Sequence, residues 1–336
     1  MKRPFFIIST LLLFLFFLAF FVWQGIYLPK EKASREEIFF LVKRGEGVKE
    51  IADNLEDQGV IKSSIFFRIY TALSGEGGNL KAGLYTFSKD MPIPEIMGKM
   101  VRGKIVKIKV TIPEGFTLKE IEERINSRFH FQKGEAQYKI EDLKVADFQN
   151  EFSFLKDAPK EATLEGFLFP DTYEFGYEMK VEKIVRKMLE NFDKKLLEEI
   201  REEIGRQKKT IFEIIIMASL LEKEVRTFED KKLVSGILWK RLKIGMPLQV
   251  DATITYITGK KTTKISLEET KIESPYNTYK YSGLPKGPIC NPGLESILAA
   301  VYPESSDYLY YLSRPDGKTI FSKTLEEHNI AKAKYL

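Results

Sequence analysis

IFEIIIMASLLEKEV, residues Ile211 to Val225, is the stretch on which the reading of this chain turns. A helical run this apolar belongs inside other structure, and carboxylates seldom end such a run unless they are paired or used. The helical period separates the two acids. Glu224 has Leu220 and Leu221 one turn back, Met217 a further turn back and Phe228 at i+4, so it shares the apolar stripe. Glu222 lies toward the opposite side, over Ala218 and Ser219, with Arg226 at i+4 as an ion-pair partner. Apolar surroundings raise a carboxyl pKa, which suits a general acid working near neutral pH. Glu224 is therefore the candidate for chemistry and Glu222 the candidate for a surface pair. The competing reading solvates both acids at a fraying helix end.

A second decisive stretch precedes it. After Met1-Lys2-Arg3-Pro4, residues Phe5 to Trp23 (FFIISTLLLFLFFLAFFVW) contain no charge. Their length matches the roughly 20 residues that cross about 30 Å of hydrocarbon. A cleaved signal peptide would have a shorter apolar core and a small-residue cleavage site, and Phe20 to Gly25 offers none. Trp23 and Tyr27 suit an interfacial belt. The expectation is an uncleaved single-pass anchor in the cell (inner) membrane, with the N-terminus cytoplasmic and everything after Lys30 outside. Lys30, Lys32 and Arg35 on the far flank weaken the charge asymmetry that supports this orientation.

Composition bounds the remainder. The 336 residues leave room for about two domains after the anchor, and 43% hydrophobic with 30% charged residues describes a folded protein. A net charge of +5, with both signs interspersed, gives no basic stripe for nucleic acid, so that partner is not expected. Cys290 is the single cysteine, which excludes an internal disulfide. The two histidines, His130 and His328, stand far apart, so neither a metal nor any other cofactor is expected. No phosphate-binding glycine motif occurs.

Between the anchor and the apolar helix, three strand–turn–helix units follow one another. They are a strand from Ile38 with a helix over 48–58, a strand over 83–88 with a helix over 94–102, and a strand over 106–112 with a helix over 118–125. Lys43 to Ile51 and Ile112 to Ile121 are alike, which hints at a repeated unit. Such units bind and position, or serve only as a stalk. Residues 126–160 read as a polar, loop-rich insertion. Glu165 to Phe175 (EGFLFPDTYEF) makes a poor helix and a poor continuous strand. Its aromatics and acids, Glu165 and Asp171 among them, suit the grip of a sugar ring, or else form a buried loop whose turn Asp171 caps.

Beyond the apolar helix, 230–243 predicts another helix with Leu233, Ile237, Leu238 and Leu242 inward and Gly245 at its C-terminal end. Gln249 and Asp251 follow. Ser274 to Gly293 is a long segment without regular structure, dense in Tyr, Asn, Gly and Pro, of the kind that carries function. Tyr308 to Ser322 predicts a hairpin around Arg314-Pro315-Asp316-Gly317, and a closing helix carries His328 as a structural hydrogen-bonder.

These motifs resemble the YceG-like endolytic murein transglycosylases. The likeness rests on Glu165 to Tyr173, Ala218 to Glu224, Arg241 to Gln249 with Asp251, Tyr276 to Tyr279, Gly283 to Pro285 and Asn291 to Gly293. The resemblance implies an α+β fold: an anchor over 5–25 behind a stub at 1–4, a LysM-like membrane-proximal domain over 36–110, and a mixed α+β catalytic domain over 111–336. It implies a lyase that cleaves the MurNAc–GlcNAc bond of peptidoglycan, leaves 1,6-anhydro-MurNAc ends and terminates nascent glycan strands. The essential acid of the family maps onto Glu224. Glu165, Asp171, Gln249, Asp251, Tyr276, Asn277 and Tyr279 become candidates for holding the glycan. Implied partners are peptidoglycan glycan strands, the membrane and peptidoglycan synthases. Val225 departs from the family's usual Thr at that place. A two-carboxylate glycoside hydrolase, with Glu165 or Asp251 beside Glu224, and a non-catalytic peptidoglycan-binding scaffold are the alternatives.

Overall fold

The computed structural model describes residues 3–34, 36–129, 138–177, 179–260, 265–314 and 316–335. His130, Pro315 and the 130–137 part of the expected insertion lie outside them. The chain forms two compact units, Met1–Ile108 with Glu174–Met179, and Lys109–Tyr173 with Lys180–Leu336.

The first unit opens with α1 (Arg3–Tyr27), long and apolar enough by length and composition to cross a membrane over Ile7–Tyr27. Strand β1 (Ile38–Val42), helices α2 (Val48–Asp57) and α3 (Ser64–Ser74), strand β2 (Gly83–Phe87) and helix α4 (Ile93–Arg102) follow. β1 and β2 pair antiparallel with Phe40 opposite Tyr85. Their alternation turns Phe40, Val42, Tyr85 and Phe87 inward, onto Ile51 and Leu55 of α2 and Ile96 and Met100 of α4. The first two strand–turn–helix units therefore share one core. Helix α3, which the sequence reading did not name, closes that core with Phe67.

The third expected strand, β3 (Lys107–Thr111), pairs elsewhere. Its partner is β4 (Thr172–Gly176), and Thr111 and Thr172 exchange a hydroxyl hydrogen bond of 2.9 Å. The second half of the Glu165–Phe175 segment is thus a strand after all. Tyr173 and Phe175 point inward while Thr172 and Glu174 point out, a period-two pattern hidden among the aromatics.

Helices α5 (Leu118–Arg128), α6 (Val181–Lys195), α7 (Glu198–Arg206), α8 (Ile211–Glu224), α9 (Phe228–Lys243), α10 (Asp251–Thr258) and α11 (Leu294–Val301) build the second unit. A hairpin of β5 (Tyr310–Ser313) and β6 (Thr319–Ser322) and then α12 (Leu325–Tyr335) complete it. Every residue of α8 from Ile214 to Leu221 is buried, which is why the run is apolar on all sides. α7, α9, α10 and α11 surround it. Its start is fixed by a capping box in which Thr210 accepts from the Glu213 amide and Glu213 accepts from Thr210, worth about 1 kcal/mol. The described part of the polar insertion is packed rather than loose: Ile140, Val145, Phe148, Phe154 and Leu155 are buried. Gly245 ends α9 at φ +73°, with Met246 N–H returning to the Arg241 carbonyl.

Candidate active site

Helix α8 stops at the candidate acid. Val225 is extended (φ −140°), so Glu224 is the last helical residue and its side chain leaves the helix end. Tyr311 Oη donates to Glu224 Oε2 at 2.9 Å, and Ala252 N–H makes a long 3.5 Å contact with Oε1. Ser313 Oγ donates to the Glu224 carbonyl. Glu224 keeps part of its surface open while protein atoms crowd its carboxyl on the other sides. Burial, reinforced by the neighbouring Asp251 charge, lifts its pKa to about 7, against the pull of Tyr311, Ala252 and Arg241.

Three segments frame this carboxyl. Asp251 is the first residue of α10, and its carboxylate accepts from Tyr279 Oη. The stretch before α10 is stitched to the long loop: Gln249 N–H donates to the Thr278 carbonyl at 3.0 Å, and Val250 N–H to Thr278 Oγ1 at 3.0 Å. Gln249 holds φ +51°, an uncommon conformation for a residue with a side chain, and is exposed. Gln249, Asp251 and Tyr279 are thereby gathered on adjoining backbone. Arg241, buried on α9, spends Nε on the Leu309 carbonyl at 2.8 Å and Nη1 on the Leu248 carbonyl at 2.6 Å. Burial depresses its pKa, while Glu224 and Tyr310, Tyr311 and Tyr279 hold it up. It ties the segment before Gln249 to the hairpin that supplies Tyr311.

Other expected site residues are spent elsewhere. Glu165 is 5% exposed, and both its oxygens accept from Leu118 N–H at the start of α5 (3.1 Å each). Oε1 also accepts from Asn291 Nδ2 at 2.8 Å. Burial raises its pKa to about 8. No described contact joins it to Glu224, so it is an interior bracket between α5 and the Asn291 loop. Asp171 caps its own turn, accepting from Thr172 N–H at 2.7 Å and Asn191 Nδ2 at 2.9 Å. Asn277 is buried with its amide committed to the Thr270 and Ile272 carbonyls and the Tyr279 N–H, so it shapes the loop from within. The Tyr276 ring meets Tyr256 at 5.1 Å and remains partly open.

Two expectations are corrected. Glu222 is not in a surface pair with Arg226. Its carboxylate accepts from Ser296 Oγ at 2.5 Å and Gly293 N–H at 3.1 Å, and it pairs with the buried Lys231 at 3.5 Å. α9 and α11 pack against the polar side of α8, so a face that looks solvated in isolation is interior. His328 stacks on Tyr310 at 5.3 Å, but its buried Nδ1 has no hydrogen-bond partner among the described residues. It packs instead of bonding.

Tyr311 and Arg241 were missed as site residues. Arg241 left a signal, a charge one turn beyond Ile237 and Leu238 on the apolar stripe of α9. Tyr311 left none, because only the fold carries a hairpin residue 87 positions away to Glu224.

Comparison with known proteins agrees with the motifs. The YceG-like family model matches residues 40–334. The endolytic murein transglycosylase of Bacillus subtilis is 34% identical over 331 residues, covering 95% of this chain and 90% of that protein. The Streptococcus pneumoniae protein of the same name is 32% identical over 327 residues, and the match spans 90% of this chain but 59% of the longer relative. A crystal structure of a YceG-like protein from Listeria monocytogenes superposes with a TM-score of 0.60 at 37% identity, covering 88% of this chain and 99% of that one. On the breadth of the family match and the extent of these likenesses, the chain belongs to the YceG-like family.

Proposed function

We propose that this chain is an endolytic peptidoglycan lytic transglycosylase whose single acid–base residue is Glu224. That it is a murein transglycosylase, a lyase, rests on its family membership and on relatives sharing a third of its residues over most of its length. The observation that carries the residue assignment is the Glu224 carboxyl, on a partly exposed residue and lifted to about 7 by burial and by the Asp251 charge beside it. Such a group is protonated often enough to donate and ionised often enough to accept. It protonates the glycosidic oxygen between MurNAc and GlcNAc as that bond breaks. The carboxylate so formed then takes the proton of the MurNAc C6 hydroxyl as that oxygen closes on C1. The proton account closes, no water is consumed, and the product ends in 1,6-anhydro-MurNAc.

Arg241 and Tyr311 favour the ionised form midway through the cycle, and the Asp251 carboxylate faces developing positive charge on the sugar. Gln249, Tyr276 and Tyr279 are the partly open polar groups left to meet the glycan, while Glu165, Asp171 and Asn277 support it from the loops. The apolar α1 holds the chain in the membrane with the second unit outside, where it terminates strands as synthases extend them. Residues 36–110 form the LysM-like domain, and 111–336 the catalytic domain.

One observation favours a second reading. Asp251 lies close enough to Glu224 to raise its pKa, so the second carboxylate of a two-carboxylate hydrolase would be Asp251 and not the bracketed Glu165. Mass spectrometry of purified peptidoglycan after digestion separates them. Anhydro ends are expected, and reducing ends carrying oxygen from labelled water would replace the lytic mechanism with hydrolysis.

A further inference from the structure

Helix α3 reads SIFFRIYTALS and carries one charge, Arg68. Phe67 and Thr71 face the core of the first unit. A second stripe meets α1: the Phe66 ring lies 5.6 Å from Phe21 and fills the space beside Gly25, and Tyr70 meets Tyr27 at 6.3 Å. A third stripe, Ile65, Ile69, Ala72 and Leu73, follows the i, i+4, i+7, i+8 spacing of one helix face. It points outward, with Ile65 59% and Leu73 77% exposed. A surface helix normally turns a polar side to water, and this one has almost none to turn.

The length of α1 says what covers the start of that stripe, around Ile65. Its apolar run of 21 residues, Ile7–Tyr27, at about 1.5 Å per residue matches the ~30 Å hydrocarbon layer. Phe21 lies inside this run even if the run is ended at Trp23. Phe66, packed on Phe21, therefore stands at the level of the acyl chains or their interface. The two helices advance together, Phe66 beside Phe21 and Tyr70 beside Tyr27, so α3 leads away from the bilayer. Ile65 is its deep end, and Leu73 lies about 12 Å further along the helix. Trp23 stacked on Tyr27, with exposed Lys30 three residues on, supplies the aromatic and cationic groups that settle at lipid headgroups.

We infer that the first half of α3 is a second membrane contact, inserted beside α1 in the leaflet through which α1 leaves. Ile65 and Phe66 sit at the boundary between acyl chains and headgroups, and Leu73 emerges among headgroups or water. Two contacts in place of one restrain the first unit from swivelling about α1. The inference rests on the reading of α1 as a bilayer span, and the test keeps the two apart.

The test uses the full-length chain in liposomes of phosphatidylcholine and phosphatidylglycerol. Single cysteines from Phe16→Cys, Ile65→Cys and Leu73→Cys carry an environment-sensitive fluorophore, while Cys290 is buried and stays unlabelled. Nitroxide on the lipid acyl chain and a water-soluble nitroxide serve as competing quenchers. The expected result is several-fold stronger quenching by the lipid nitroxide at positions 16 and 65, and the reverse preference at 73. Lipid quenching at 16 with water quenching at 65 overturns the α3 contact and leaves the span standing. Water quenching at 16 refutes the span and the inference together. Shielding of position 65 from both quenchers means a protein partner covers the stripe, which also overturns the proposal.

Discussion

Glu165 and Glu224 are both carboxyls lifted chiefly by burial, yet their surroundings differ. Glu165 titrates near 8 and Glu224 near 7. At Glu165 the Leu118 amide and the Asn291 side chain occupy the oxygens, and the residue is closed off. At Glu224 one firm hydrogen bond comes from Tyr311, the Ala252 contact is long, and a like charge stands alongside. A raised pKa alone therefore does not mark a working acid. What distinguishes Glu224 is a residue left partly exposed, with a long contact on one carboxyl oxygen and neighbours of opposite effect on its protonation.

The largest expected effect tests that contrast directly. Glu224→Gln should fold and lose about 10²–10⁴-fold in activity, the usual worth of acid–base assistance, whereas Glu165→Gln should stay active. Glu165→Gln should instead change stability against pH. The folded chain keeps the Glu165 proton up to about pH 8, whereas the unfolded chain releases it near 4.5. The native state thus holds more protons in that window, so stability declines as pH rises from 4.5 toward 8. Gln cannot ionise, and thermal melts of this variant should show a flatter decline. Equal loss of activity in both variants would erase the distinction.

Glu222→Ala should come next, as an effect on folding and not on the chemical step. It leaves Lys231 nearly buried without its paired acid, and strips Ser296 and Gly293 of their acceptor. Breaking such a pair costs about 3–5 kcal/mol, read by denaturant titration, and the neighbouring Glu114 moves the result toward the lower figure. A loss under about 0.5 kcal/mol would restore the surface-pair reading.

The smallest effects sharpen the picture of Glu224. Activity that requires its protonated form should fall as pH rises through about 7. Asp251→Asn removes a charge that raises this pKa, so the falling limb should move to lower pH. Tyr311→Phe removes a hydrogen bond that lowers it, so the limb should move to higher pH. Rate–pH profiles displaced in the same direction would show that these neighbours do not act on Glu224.

Local periodicity decides anything that one element expresses by itself, and there the sequence sufficed. The uninterrupted apolar run of α1, the interior place of the α8 run and the nomination of Glu224 at its end were legible because each needs only residues within a few turns. The tertiary structure alone decided which distant groups meet. Thr172 to Gly176 became a strand because β3 was there to pair with it. Glu222 became interior because α9 brought Lys231 and the start of α11 brought Ser296 and Gly293. Tyr311 and Asp251 reached Glu224 from 87 and 27 residues away, through contacts that leave no trace in the spacing of either segment. Burial, hydrogen-bond partners and therefore proton affinity are properties of that assembled surrounding, which is why the sequence could nominate Glu224 but could not set its charge state.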